Sequence, residues 1–204
     1  MFLEINPINP DDRLILEVVN CLRKGGIIIY PTDTVYALGC NLMDKRAIEK
    51  LTKLKGVKPK KAKFSLICYD LSTLSEYTKY IDRPTYKILN KNLPGPFTFI
   101  LTASSKIPKL FDTNKKTVGI RIPKNKIVSR IVKELGNPLV TTSIHDEDEI
   151  IEYTTDPYAI NQKWEELADI IIDGGYGNNE PSTVVDCSEG DIDIIRQGIG
   201  ELLY

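Results

Sequence analysis

The chain has 204 residues, of which 42% are hydrophobic and 27% charged, and its formal net charge is −1. This composition is typical of a globular protein. The net charge excludes a protein that binds nucleic acid through a uniformly basic surface, so any nucleic-acid contact must depend on a local basic patch. The sequence has four cysteines (Cys21, Cys40, Cys68 and Cys187) without a CxxC pair, and its one histidine is His145. This set of candidate ligands argues against a structural zinc site.

The N-terminus and the apolar runs argue against a secreted or membrane-spanning protein. The start, MFLEINPINPDD, has neither the basic region nor the apolar region of a signal peptide. No apolar run approaches the roughly 18 residues that a bilayer span requires. We therefore expect a reduced, cytoplasmic protein that contacts no membrane.

The first half of the chain carries both helical and strand-like patterns. Apolar residues at helical spacing, acidic first turns and glycine or proline stops mark the ends of these elements. In chain order, the patterns predict a helix at 11–24, a strand at 27–30, a helix at 45–55, and strands at 64–68 and 96–103.

The second half continues in the same mixed way. In chain order, it is predicted to contain a strand at 117–123, a helix at 127–135, a strand at 138–143, a helix at 158–168, and strand-like runs at 168–175, 182–188 and 191–198. Strands and helices do not alternate strictly, and some connections are too short for crossover helices. The prediction is an α/β (α+β-like) fold with a mixed sheet and packed helices. Without a repeat or linker, residues 1–204 form one domain.

The segment PTDTVYALG (31–39) directly follows a predicted buried strand. Hydroxyl and carboxylate groups at the end of a strand are well placed to line a ligand cleft in an α/β sheet. The same residue types also occur as local caps of turns. Spacing alone leaves both interpretations open.

Residues 53–63 contain six lysines and no acidic residue. Most such runs are solvated loops. Ammonium groups also bind triphosphate oxygens and nucleic-acid backbones, and composition does not distinguish ATP from RNA.

The strand TVGIRIP (117–123) places an arginine in an apolar run. Thr117 and Arg121 share one strand face, so both side chains reach the same space. A guanidinium there could hold a carboxylate through two parallel hydrogen bonds. The alternative is an edge strand whose arginine points to water.

Three further segments are weaker signals: TTSIH at 141–145, the glycine-rich run from Gly174 to Asp186, and Arg196-Gln197-Gly198. The sequence contains no HExxH, no Walker A motif and no Ser-His-Asp signature. His145 precedes an acidic run and is interpreted as an ordinary loop residue.

Together these segments resemble the YrdC/YciO family of threonylcarbamoyl-AMP synthases, and more closely its YciO branch. The resemblance covers about residues 10–200 in family order, through GGIIIYPTDTVYALGCN, LKGVKPKKAKFSLIC, LPGPFTFIL, KTVGIRIP, PLVTTS, DGGYGNNEPSTVVD and IIRQGIG. It implies a twisted mixed sheet around a deep basic cleft. It also implies synthesis of threonylcarbamoyl-AMP and pyrophosphate from L-threonine, bicarbonate and ATP, with Mg²⁺ carried by the triphosphate, for tRNA threonylcarbamoyladenosine modification.

The resemblance also assigns roles to residues one by one. The positions matching the family's threonine-binding residues are Thr34, Arg121 and Ser182. The positions matching its nucleotide-side residues are Lys55, Lys63, Thr117, Ser143 and Arg196. Lys55 and Arg121 are the expected catalytic residues of this nucleotidyltransferase, and the expected partners are tRNA or double-stranded RNA and other tRNA-modification proteins.

Three positions depart from the family pattern. Val57 replaces the arginine of the K-x-R motif, His145 replaces an asparagine, and Cys68 replaces a histidine at the end of a strand. These departures leave a second function open: a family member that binds a nucleotide, tRNA or double-stranded RNA with little or no synthase activity.

Overall fold

The structure is a computed structural model that describes residues 1–56, 64–108, 116–144 and 155–204. The strands of these residues are β1 (Phe2–Glu4), β2 (Ile28–Tyr30), β3 (Ala37–Asn41), β4 (Ser65–Ile67), β5 (Phe97–Thr102), β6 (Thr117–Arg121), β7 (Leu139–Ser143), β8 (Ile170–Asp173), β9 (Thr183–Asp186) and β10 (Asp193–Arg196). The helices are α1 (Asp12–Arg23), α2 (Lys45–Leu54), α3 (Leu71–Tyr77), α4 (Arg83–Asn92), α5 (Lys126–Leu135) and α6 (Pro157–Trp164).

The ten strands of the described residues form one mixed sheet in the order β1-β8-β2-β3-β7-β4-β6-β5-β9-β10. β1 and β2 both pair in parallel with β8, and the pairs β4–β6 and β5–β9 are also parallel. The remaining neighbours are antiparallel. The predicted mixed sheet with packed helices is therefore confirmed.

Short polar residues fix where the helices begin. Each N-cap side chain accepts a hydrogen bond from a backbone N–H in the first turn, which satisfies a donor that the helix itself leaves unpaired. These caps are Asp11, Asp44, Asp70, Asp82, Asn125 and Asp156. At the other end of α5, Gly136 adopts a left-handed conformation (φ 81°) and its N–H donates to the carbonyl oxygen of Val132.

Apolar side chains on both faces of the sheet form the core. One cluster contains Ile29, Leu38 and Phe99 together with the buried residues of α2 and α4. The other contains Ile28, Tyr30 and the buried faces of α1 and α5. Because successive side chains of a strand alternate between faces, β2, β3, β4, β7 and β8 each contribute buried residues to both clusters.

The structure also contains elements that the sequence patterns did not predict: β1, β3, α3 and α4. The predicted helix at 158–168 ends earlier, at Trp164, because Glu165 caps it and residues 165–167 form a turn. No helix of the described residues is long and apolar enough to cross a membrane. These residues also contain no cluster of three or more His, Cys, Asp or Glu side chains suited to a metal ion.

Candidate functional site

Arg121 is the last residue of β6, an interior strand between β4 and β5. It is only 7% exposed, so the alternative of an edge-strand arginine facing water is wrong. Its Nη2 donates to Thr34 Oγ1 at 2.9 Å and to Asp33 Oδ1 at 3.0 Å. Two residues of the PTDT segment therefore hold the guanidinium by its Nη2.

The PTDT segment connects β2 to β3, and its threonines hold the loop in shape. Thr32 Oγ1 accepts from the Thr34 N–H at 3.0 Å and donates to the Val35 carbonyl oxygen at 2.8 Å. Because this hydroxyl proton is already engaged, Thr34 Oγ1 is the donor in the 3.0 Å contact between the two threonine hydroxyls. Thr32 is therefore a local cap, whereas Asp33 and Thr34 face Arg121.

Both carboxylate oxygens of Asp33 have partners. Oδ1 accepts from Arg121, and Oδ2 accepts from the backbone N–H of Lys124 at 2.8 Å. The side chains of Arg121 and Asp33 are 8% and 9% exposed, so little water screens the ion pair. Asp33 thus joins the β2–β3 loop to the segment that follows β6.

One buried nitrogen of Arg121 has no hydrogen-bond partner among the described residues. This nitrogen is Nε. Leaving a buried donor unpaired costs about 1–3 kcal/mol, so an acceptor that reached this N–H would recover that cost. Burial lowers the pKa of Arg121, the Asp33 carboxylate opposes that shift, and the nearby positive charge of Arg196 adds to it.

Ser182 and Arg196 form a second group of polar side chains with Thr98. Ser182 is 4% exposed, and its Oγ lies 2.8 Å from Thr98 Oγ1. Arg196 Nη2 donates to the Ser182 carbonyl oxygen at 2.7 Å and to Ser182 Oγ at 3.3 Å. The guanidinium therefore holds the segment that enters β9.

The strand register puts these groups on one face of the sheet. Ser65 of β4 is opposite Gly119 of β6, which is in turn opposite Ile100 of β5. Thr98 precedes Ile100 by two residues, and Arg121 follows Gly119 by two, so both side chains lie on this face. A Cβ on Gly119 would lie 2.7 Å from Ser65 Oγ and 3.2 Å from Thr98 Cγ2, so this close packing requires glycine.

Lys55, which follows α2, is in contact with Ser143, the last residue of β7. Lys55 caps the C-terminus of α2, and its Nζ donates to the Ser143 carbonyl oxygen at 3.1 Å. Burial lowers the pKa of Lys55, since the charged form loses hydration. The start of the lysine run, through Leu54, is thus helical and not a loop.

The predicted site residues therefore meet in three pairs: Thr34 with Arg121, Ser182 with Arg196, and Lys55 with Ser143. Thr117 shares the face of Arg121 but belongs to none of these pairs. Lys63, Val57 and His145 lie outside the residues that the structure describes.

Sequence reasoning missed Asp33 and Thr98 as members of these groups. Asp33 was visible inside PTDT, but its partner lies 88 positions away on another strand. Thr98 was visible as a lone hydroxyl in the apolar run FTFIL, where alternation puts it on the face opposite Phe97 and Phe99.

Cys68, which replaces a histidine of the family pattern, lies on the face of the sheet opposite that of Arg121. Cys68 is 2% exposed and belongs to the core cluster that contains Leu38 and Phe99. Ile67 is opposite Arg121 in the β4–β6 pair, so the next side chain, Cys68, points to the other face. Burial raises the pKa of its thiol, which remains neutral.

A separate groove of about 750 Å³ lies beside α1 and the start of β8. Lys24, Lys50, Asp169 and Cys21 are among its lining residues, and the predicted site residues are not. An ion pair in this groove joins Lys50 Nζ to Asp169 Oδ2 at 2.9 Å, and both side chains are nearly half exposed.

These observations define an α/β protein with a buried arginine and hydroxyl groups on one face of a mixed sheet. The family described as Telomere recombination, which groups Sua5, YciO and YrdC proteins, matches residues 20–198. The chain belongs to this family.

Among its relatives, a Haemophilus influenzae protein is 43% identical over 98% of this chain and 96% of its own. YciO of Escherichia coli K12 is 38% identical over 98% of this chain and 97% of its own. Threonylcarbamoyl-AMP synthase of Pseudoalteromonas translucida is 27% identical over 89% of this chain and 97% of its own.

Two solved structures share the fold. The crystal structure of E. coli YciO superposes with a TM-score of 0.90, at 38% identity over 98% of this chain and 97% of that one. The crystal structure of P. abyssi Sua5 complexed with L-threonine superposes with a TM-score of 0.85 over 97% of this chain and 57% of that one. At 22% identity, this second match concerns the fold alone.

Proposed function

We propose that this protein is a threonylcarbamoyl-AMP synthase that makes its adenylate and pyrophosphate from L-threonine, bicarbonate and ATP. The observation that carries the proposal is Arg121, a buried guanidinium held by Asp33 and Thr34 with Nε left unpaired. The family membership and the named synthases among the relatives support it.

In this proposal Arg121 binds the carboxylate of threonine. Nε–H supplies the donor, and the low exposure of the guanidinium strengthens a charge-assisted hydrogen bond. Thr34 and Ser182 lie on the threonine side and contribute hydroxyl groups.

The nucleotide side consists of the remaining basic and hydroxyl residues. Lys55 and Arg196 are cations held by backbone carbonyls of Ser143 and Ser182, which orients them before a phosphate arrives. Thr117 lies on the Arg121 face, and Lys63 is assigned to this side by its sequence position alone. Mg²⁺ accompanies the triphosphate and is held mainly by substrate oxygens.

The reaction asks the protein for position and charge, not for a covalent nucleophile. The neutral amine of threonine forms a C–N bond with bicarbonate, which releases water, or with dissolved CO₂, which releases a proton, and the product is a carbamate. A carbamate oxygen then attacks the α-phosphorus of ATP, the bond to the β-phosphate oxygen breaks, and pyrophosphate leaves with the electron pair. Oriented cations and hydroxyl donors accelerate such a step by fixing the reactants and neutralising developing phosphate charge.

The direct test is incubation of the protein with ATP, L-threonine and bicarbonate, followed by chromatography for the adenylate and an assay for pyrophosphate. We expect both products in equal amounts and neither when threonine is omitted. Pyrophosphate that forms equally well without threonine would contradict the proposal, because it would show threonine-independent hydrolysis of ATP.

A second candidate is a nucleotide- or RNA-binding protein without synthase activity, and Val57 and His145 at the departing motif positions favour it. The variant Val57→Arg, alone and with His145→Asn, separates the two, because a guanidinium binds phosphate through two donors at once. A rise in adenylate formation supports the synthase. An inactive, folded double variant that still binds tRNA or double-stranded RNA in a salt-dependent way supports the binding protein.

A further inference from the structure

In the ion pair between Asp33 and Arg121, the nitrogen that binds the carboxylate also binds a second acceptor, Thr34. Asp33 Oδ1 and Thr34 Oγ1 both accept from the same nitrogen, Nη2, which carries two hydrogens. Rotation of the guanidinium about the Cδ–Nε bond would move Nη2 away from both acceptors and break both hydrogen bonds. The orientation of Nε–H is therefore set by these two acceptors.

Asp33 is itself held in place. Its second oxygen, Oδ2, accepts from the Lys124 N–H, directly after the Arg121 strand and its proline. The carboxylate thus bridges the backbone behind β6 and the guanidinium at the end of β6. A rigid carboxylate transmits a fixed direction to its partner, which a mobile surface carboxylate does not.

We infer that Asp33 is a positioning residue, which acts through Arg121 to aim Nε–H at the carboxylate of the substrate. The inference rests on the proposed function for the identity of that ligand, but its geometric part does not. The pair is almost completely buried and has no net charge, so an incoming carboxylate meets an oriented donor and not a freely rotating cation.

The chain contains a matched control for this role. Asp169 also bridges a cation and a backbone N–H: its Oδ2 accepts from Lys50 Nζ at 2.9 Å and from the Ile27 N–H at 2.7 Å. That pair lies at the separate groove beside α1 and is 47% and 44% exposed. Loss of Asp169 therefore removes the same kinds of bond without touching Arg121.

The first experiment measures ligand affinity by calorimetry for the unmodified protein, Asp33→Asn, Asp33→Glu and Asp169→Asn. The ligands are L-threonine, L-threoninamide and ATP, because threoninamide lacks the carboxylate. We expect Asp33→Asn to weaken threonine binding about tenfold and to leave ATP binding within twofold. We expect Asp33→Glu to recover most of the loss and Asp169→Asn to change neither ligand. Unchanged threonine affinity in a folded Asp33→Asn variant overturns the inference.

A second measurement needs no substrate. In the ¹⁵N–¹H spectrum of the unmodified protein, a fixed Arg121 gives a slowly exchanging Nε–H signal and separate Nη signals, assigned by their loss in Arg121→Lys. We expect these signals to merge or broaden in Asp33→Asn and to persist in Asp169→Asn. Merged Nη signals in the unmodified protein contradict the inference even where Asp33→Asn does not fold. If the unmodified protein binds no threonine, the proposed function fails and this spectrum alone decides the role of Asp33.

Discussion

The guanidinium Nη2 of Arg121 lies 2.9 Å from the hydroxyl of Thr34, although 87 positions separate the two residues in the sequence. The contact exists because β6 and the β2–β3 loop end at the same region of the sheet. It brings together the two positions that the family resemblance assigns to one substrate.

Replacement of Arg121 by methionine tests the cost of the buried pair. We expect Arg121→Met to lower the free energy of unfolding by about 3–5 kcal/mol, because it leaves the buried Asp33 carboxylate without its cation. Urea denaturation measures this value. The control Arg130→Met breaks an ion pair with Asp12 whose side chains are 45% and 80% exposed, and it should change stability by less than about 0.5 kcal/mol. Equal effects of the two variants would refute the prediction.

Replacement of Lys55 by alanine tests the nucleotide side. If Lys55 binds phosphate, Lys55→Ala weakens ATP binding by about 1.5–3 kcal/mol, the scale of a hydrogen bond to a charged group. The control is Lys53→Ala, since Lys53 is exposed in the last turn of α2 and should contribute less than about 0.5 kcal/mol. Calorimetric titration with ATP compares the two variants, and similar small losses would identify the run as a solvated segment.

Gly119 tests the close packing beneath the site. We expect Gly119→Ala to destabilise the protein by about 1–3 kcal/mol, because its Cβ would lie 2.7 Å from Ser65 Oγ. Ser65→Ala removes that oxygen, so the double variant should be more stable than the sum of the two single changes predicts. Thermal and urea unfolding of all four proteins measure this coupling. Strict additivity would show that the strain lies elsewhere.

Buried thiols predict a loss of stability at alkaline pH. Burial raises the folded-state pKa of Cys68 and Cys40 above the ordinary value of 9.0, and that of Cys187 to about 12. Above pH 9 the unfolded chain releases protons that the folded chain retains, so stability is complete below about pH 9 and falls as the pH rises. For each thiol, the free energy of unfolding should fall by about 1.4 kcal/mol as the pH rises from about 8 to about 10.

The variant Cys68→Ala isolates one thiol. Its absolute stability is lower because it leaves a cavity, but its loss between about pH 8 and 10 should be smaller by about 1.4 kcal/mol. Urea unfolding at the two pH values measures the difference. An unchanged pH dependence would mean that Cys68 ionises as freely in the folded state as in the unfolded state.

The sequence predicts the strongly patterned elements because their signals are local. β2 and α5 consist of uninterrupted apolar runs or regular apolar spacing, and both occur close to the predicted bounds. The start signals of α3 and α4 were present in Asp70 and Asp82, with Pro84 in the first turn of α4, but few apolar residues follow them.

β3 was missed for a different reason. Its sequence, ALGCN, contains small residues of low strand propensity, yet every residue is buried. Gly39 is required there because a Cβ would lie 2.7 Å from a ring carbon of Tyr30. Packing from a neighbouring strand thus decides the conformation, and no local pattern reports it.

The candidate site shows the same limit. Family motifs name Arg121 and Ser182, but they do not name the partners Asp33 and Thr98 that bind these residues. Hydrogen-bond partners depend on strand order and register, which periodicity does not specify. A resemblance therefore predicts which residues belong to a site more readily than how each is held.

The order of the strands has a consequence for synthesis of the chain on the ribosome. Phe2 of β1 pairs with Ile171 of β8, and Leu38 of β3 pairs with Thr142 of β7. The ribosome therefore synthesises β1 and β3 well before the strands with which they pair. Loop-closure entropy makes such distant pairings slow to form. Until β8 leaves the exit tunnel, β1 lacks its partner and β2 has only β3 beside it. A nascent chain exposes these edges for much of translation, which makes them natural targets for a holding chaperone.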